Sequence, residues 1–232
     1  MKRSFINARL RDAIAFCWEH RFRLPQWATW TPGDWRAAGP EADEVRRCRL
    51  GWDVTDFGSG DYANVGLLAF TIRNGLPGEA GTRDVSRKDY CEKLLLIGDG
   101  QKTPMHFHWH KMEDIINRGG GLLVMRLWHC IRETEAADQH KPVVVSVDGL
   151  KHTFEPGQEV VLRPGESITL PPSLYHEFYA RPGSGMVLGG EVSRVNDDAN
   201  DNRFSPALPR FSKVEEDEPP AYLLCNEYPP AQ

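Results

Sequence analysis

Five cysteines are scattered singly through 232 residues, with no CxxC pair. Neither a disulfide framework nor a thiolate zinc site is signalled. No apolar run approaches the 18 residues a membrane helix needs. The opening "MKRSFINARLRDAIAF" has charges throughout and no apolar core of signal-peptide length. Positive charge is not in surplus either. The net charge is −5, which argues against the basic surface that a nucleic-acid binder displays. No repeat of fixed period and no low-complexity run is visible. These absences lead us to expect a soluble cytoplasmic protein with reduced thiols, touching neither membrane nor nucleic acid.

What is present is ordinary in bulk and informative in pattern. The apolar fraction of 40% and the charged fraction of 26% suit a globular chain long enough to bury a full core. The 17 prolines and 21 glycines, spread along the chain, imply many turns and many short strands. Residues 4–20 carry Ile6, Leu10, Ala13, Ile14 and Cys17 at helical spacing, with Ser4 as a candidate N-cap. The following "LPQWATWTPGDWRAAGPEADE" reads as an irregular, tryptophan-rich arm packed over something. From about residue 50 the pattern changes to β segments, at 64–75, 89–100, 121–130, 142–149, 158–172 and 176–195. Turn signals such as "RPGE" and "RPGSG" recur between them. A sandwich or closed barrel follows. Beyond residue 195 come a polar cluster, "VNDDANDNRF", and an acidic run, "KVEEDEPP", which by itself reads as solvated surface.

The stretch "PMHFHWHKMEDII" (104–116) concentrates the chemistry. In an extended strand His106, His108 and His110 point one way, and Met105, Phe107 and Trp109 the other. Two imidazoles at i and i+2 can share a cation inside a barrel. Glu113 has the wrong parity and reaches the same cation only if the chain bends around Trp109–Met112, a bend that takes His110 out of line. A fourth ligand must come from a distant strand, and "LPPSLYHEF" supplies His176 after two prolines that set an extended entry. His20, His129, His140 and His152 have no ligand-type partners nearby and read as surface or packed residues.

These residues carry a resemblance. Gly100–Gly120 fits the first cupin motif, G-x5-H-x-H-x4-E-x6-G, at every position. The segment from Gly165 resembles the second, with Gly165, Pro171 and His176 in place, Ser173 where the family prefers glycine and Ala180 where it prefers asparagine. Together with "YCEKLLL", "VNDDANDNRF" and "YLLCNEYP", the chain from about residue 85 resembles the cupin sugar isomerases of the D-lyxose isomerase family. The resemblance implies an all-β cupin, an antiparallel barrel or jelly roll with an N-terminal helical extension. Residues 1–45 form the helix and arm, and 46–232 the barrel with a C-terminal extension, in one structural domain. It further implies a metal held by His106, His108, Glu113 and His176, with Mn²⁺ as first choice. The donor set also suits Zn²⁺, Fe²⁺ or Co²⁺.

Aldose–ketose isomerisation needs a base that carries a proton between adjacent carbons and a cation near the oxygens. Lys111, at the bend, Glu191, after two glycines, and Glu216, in the tail, are the catalytic candidates, with Glu215 as a further tail carboxylate. Lys93, alternating with apolar neighbours, and Asp198 and Arg203 are candidates for binding sugar hydroxyls. A cupin phosphosugar isomerase ranks lower because no phosphate loop is apparent. An Fe²⁺-dependent dioxygenase or a non-catalytic sugar-binding cupin completes the alternatives. A homodimer is expected from base rates.

Overall fold

In a computed structural model of the chain, the residues described are 1–77, 87–197, 200–209 and 212–231. Three helices precede the strands: α1 (Arg3–Glu19), α2 (Pro32–Ala37) and α3 (Asp43–Arg47). The strands are β1 (Gly51–Thr55), β2 (Leu67–Arg73), β3 (Tyr90–Ile97), β4 (Lys102–His108), β5 (Glu113–Gly120), β6 (Leu123–Ile131) and β7 (Ala136–Ala137). They continue with β8 (Val143–Val147), β9 (Leu150–Phe154), β10 (Glu159–Leu162), β11 (Ser167–Leu170), β12 (Leu174–Ala180), β13 (Val187–Arg194) and β14 (Asn202–Phe204). One sheet has eight strands in the order β1-β2-β3-β13-β5-β11-β8-β9, and the other five in the order β10-β6-β12-β4-β14, with β7 added on β6. The ladders are antiparallel. The expected segment 176–195 divides into two strands, β12 and β13, which lie in different sheets.

Burial on both faces explains why "KLLLI" on β3 is nearly continuous in apolar residues. Leu95 and Ile97 point between the sheets, against Met125, Leu127 and Phe178. Leu94 and Leu96 point the other way and pack under Ile6, Leu10, Ala13 and Cys17 of α1. Lys93 shares the inward parity of Leu95, so its ammonium enters the space between the sheets.

The N-terminal arm is more regular than expected. Thr31 and Asp34 form a reciprocal capping box with Pro32 at the first helical position, and α2 follows. "TPGD" carries that signal in sequence. Trp35 is buried and stacks on Tyr228 at 4.0 Å, so the tryptophans do pack, against the C-terminal tail.

Ser4 is not the cap of α1. The N-cap is Lys2, without a side-chain hydrogen bond, and Ser4 lies inside the helix. The acidic run supplies the acceptor instead: Asp217 accepts from the Ser4 amide at 2.8 Å and from its hydroxyl at 2.6 Å. Next to it, the buried Arg3 guanidinium donates to Glu216 at 2.6 Å and to Glu227. A run that reads as solvated surface therefore neutralises the positive end of a helix 213 residues away. Arg3→Ala strands Glu227, whose side chain is 23% exposed. It is expected to lower Tm by roughly 5–10 °C in scanning calorimetry.

Candidate metal centre

Register brings the histidines together. His176 on β12 lies directly across from His106 on β4, and the two rings stand 4.2 Å apart. His108, two residues on, shares their face. One nitrogen of each of the three lies within 4.8 Å of the others, and all three side chains are buried. The ring Nδ1 of His106 is 2.8 Å from the carbonyl of Pro104, and that of His176 is 3.0 Å from the carbonyl of Leu174. A carbonyl only accepts, so each Nδ1 carries a hydrogen, which leaves Nε2 as the ring nitrogen directed at the centre of the cluster. Burial, reinforced by neighbouring positive groups, pushes His106 and His108 well below the usual imidazole range. Both are neutral at pH 7, as metal coordination requires.

Glu113 opens β5, past a turn of the chain at 109–112. Its Oε1 is 3.1 Å from His176 Nε2 and 3.5 Å from His108 Nε2. That oxygen is fully buried with no hydrogen-bond partner. Burial favours the neutral acid, but the Lys111 ammonium 2.8 Å away overrides it and holds the carboxyl well below its usual range. An ionised, orphaned oxygen among three imidazoles fits a divalent cation, and these side chains could hold one. His110 is exposed and outside the cluster. Met105 is half-buried, whereas Phe107 and Trp109 pack edge-on at 4.6 Å on the opposite face.

A second, charged cluster abuts the first. Lys111 Nζ donates to Glu191 Oε1 at 2.9 Å as well as meeting Glu113, and Lys93 Nζ lies 3.4 Å from the same Glu191 oxygen. Ser193 donates to Glu191 at 3.0 Å, and Lys93 donates to Asn196 at 2.5 Å. Two ammoniums and two carboxylates thus balance in a site where an unpaired charge would be prohibitive. Burial pulls Lys111 down, but its two carboxylates raise it above the ordinary lysine value. Burial pushes Glu191 up, and Lys111 and Lys93 bring it below the ordinary glutamate value. The three histidines, Glu113, Lys111, Glu191 and Lys93 line one cavity between the sheets, with about 490 Å³ of atom-free space counting its open mouth.

Two expected residues do not join it. Glu216 is held by Arg3 at the N-terminal end of α1. Arg203 is exposed, 3.8 Å from Glu135, because it lies opposite Phe107 and so faces away from the histidines. Asp198 lies outside the described residues. The segment "VNDDANDNRF" contributes other members. Asp201 accepts from the backbone amides of His110 at 2.8 Å and Lys111 at 3.0 Å, clamping the bend that brings Lys111 inward. Asn202 faces His108 across the β14–β4 ladder. Ser173, at the position where glycine is preferred, has φ +61° and donates its amide to the His108 carbonyl at 2.7 Å. The left-handed turn is therefore kept without glycine.

Two facing antiparallel sheets enclosing a buried histidine triad and a carboxylate define a cupin-type barrel. Comparison with known proteins narrows that class. The chain belongs to the D-lyxose isomerase family, whose model matches residues 1–228. It is 47% identical over 229 residues to the D-lyxose/D-mannose isomerase of Escherichia coli O157:H7, and 46% to that of Serratia proteamaculans; each match covers 98% of both chains. In fold it is similar to the L-ribose isomerase of Acinetobacter sp. DL28 in complex with L-ribose. There the TM-score is 0.56 at 15% identity, covering 88% of this chain and 92% of that one. No helix among the described residues is long and apolar enough to cross a membrane.

Proposed function

We propose that this protein is a metal-dependent aldose–ketose isomerase acting on free sugars, converting D-lyxose to D-xylulose and D-mannose to D-fructose. The observation that carries the reading is the orphaned Glu113 oxygen among three imidazoles, directly beside the paired Lys111 and Glu191. His106, His108, Glu113 and His176 would hold the cation, with Mn²⁺ as first choice for a nitrogen–carboxylate set. When bound, it polarises a carbonyl and its neighbouring hydroxyl, making the intervening C–H acidic.

The chain's own groups do the rest. Glu191 is ionised at neutral pH, and both of its hydrogen bonds are accepted at Oε1, leaving Oε2 to take the proton and return it to the adjacent carbon. Lys111, cationic and buried, stabilises negative charge developing on the sugar oxygens of the cis-enediol. Lys93 faces the same carboxylate and is proposed to contact a substrate hydroxyl.

A phosphosugar substrate is disfavoured because Lys93 and Lys111 are already matched by carboxylates. A dioxygenase is disfavoured by so heavily charged a wall. The homodimer reading draws on Val144 and Leu150, which are 57% and 67% exposed. A cytoplasmic location is proposed from the five cysteines, isolated in sequence and odd in number, which signal no disulfide framework.

Incubating chelated and Mn²⁺-loaded protein with D-lyxose, D-mannose and D-ribose and assaying ketose tests the proposal. Ketose from D-lyxose in the loaded sample alone is expected; none from any of the three sinks it. Asp201→Ala, which releases the amides of His110 and Lys111, is expected to lower kcat by about 10- to 100-fold with far-UV circular dichroism unchanged.

A further inference from the structure

Seven buried side-chain polar atoms among the described residues lack a hydrogen-bond partner, and three of them line this one cavity. Glu113 Oε1 is the oxygen that the proposed cation would take. The other two are Thr103 Oγ1 and Asn202 Oδ1, and they are also the only uncharged polar side chains, histidines aside, in the described lining. Everything else around them is charged and mutually paired, or apolar, as are Leu67, Phe178 and Phe204.

Their inward aim comes from the backbone. Strict alternation puts Thr103 on the face of β4 opposite His106. However, His176 pairs with His106 while Phe178, two residues on, pairs with Thr103, three residues back. The extra residue on β4 is a bulge, and it reverses parity so that Thr103 joins the histidine face. Thr103 is only 2% exposed. Asn202 needs no bulge, since it sits directly across from His108 and shares its face. Both belong to the five-stranded path, whereas Lys93 and Glu191 project from the eight-stranded sheet opposite.

We infer that Thr103 and Asn202 form a second wall of the sugar site, hydrogen-bonding hydroxyls on carbons other than the reacting pair and so choosing among stereoisomers. The inference rests on the isomerase reading. Thr103 both donates and accepts, and Asn202 Oδ1 accepts, so each suits a sugar hydroxyl. A buried site built to bond a hydroxyl discriminates strongly against a ligand lacking it, because its own polar atom is then left unpaired.

The test pairs steady-state kinetics on D-lyxose with calorimetric binding of D-arabinitol, the reduced form of that sugar, to Mn²⁺-loaded protein. Thr103→Val is expected to raise KM and the D-arabinitol Kd by about tenfold each, and Asn202→Leu likewise. Thr103→Ser, which keeps the hydroxyl and adds no charge, is expected to stay within about threefold of wild type. Tm of unliganded Thr103→Val is expected to be equal or higher, because no bond is lost in the empty site. On monodeoxy analogues of D-lyxose, each variant's penalty should vanish for the one analogue lacking the hydroxyl that residue meets. KM and Kd within twofold of wild type for both Thr103→Val and Asn202→Leu, or penalties equal on all deoxy analogues, overturn the inference. Absence of ketose from the wild type instead strikes the isomerase reading, and the D-arabinitol titrations still judge the wall.

Discussion

Glu191→Gln is expected to reduce kcat on D-lyxose by about 10²- to 10⁴-fold, the range for loss of a positioned general base. The amide keeps the size of the carboxylate and can still accept from Lys111 and Ser193, which now bond Glu191 at 2.9 and 3.0 Å. It cannot take a proton from carbon. KM should change only a few-fold, because the charges that meet sugar oxygens remain. The same pairing predicts the pH profile. Burial alone would raise Glu191, but Lys111 and Lys93 hold it below the ordinary value of 4.5. The base is therefore ionised above that pH, and the acid limb of kcat/KM should lie below it. Lys111→Met removes the nearer cation and lets burial act, so the group's pKa rises and the acid limb moves to higher pH. Full turnover by Glu191→Gln would remove Glu191 from the role while leaving the metal-site reading intact.

The parts of this site legible in sequence are those that local periodicity governs. His106 and His108 share a face because strands alternate, and Glu113 needs a bend, which the chain makes at 109–112. His176 was recognisable from its Pro-Pro frame, and β12 indeed sets it against His106. The rest depended on partners far off in the chain. Three residues, 202–204, form an edge strand in which Phe204 alone favours a strand, too short a run to be marked locally. Without their pairing to β4 there is no way to know that Asn202 faces in and Arg203 out. Asp201 acts on amides some ninety residues away, and no spacing rule reaches that far. Glu216 looked like a spare carboxylate because its countercharge, Arg3, lies at the other end of the chain. Thr103 is subtler. Alternation assigns it to the wrong face, and only a bulge visible in the cross-strand register corrects it.

Glu113→Gln should abolish turnover at ordinary metal concentrations, and the reason lies as much in Lys111 as in the metal. In the wild type Glu113 Oε2 meets Lys111 at 2.8 Å while Oε1 is left facing His176 and His108. One carboxylate thus serves a cation on each side. Neutralising it removes a charged ligand and leaves the Lys111 ammonium, still paired with Glu191, close to any incoming divalent ion. Attraction is lost and repulsion gained within a buried, low-dielectric site. Metal affinity is therefore expected to fall by at least about 100-fold, more than loss of a hydrogen bond behind a ligand would cost. Binding to the folded state alone stabilises by RT ln(1 + [L]/Kd), about 4 kcal/mol at a thousandfold excess over Kd. For a chain of this size that is a rise in Tm of roughly 8–16 °C on adding Mn²⁺ to chelated wild type. The Glu113→Gln protein should gain less than half of that at the same concentration. Because the melting shift does not depend on turnover, it separates a lost metal from a lost base. An unchanged shift in Glu113→Gln would mean that the orphaned oxygen waits for something other than the cation.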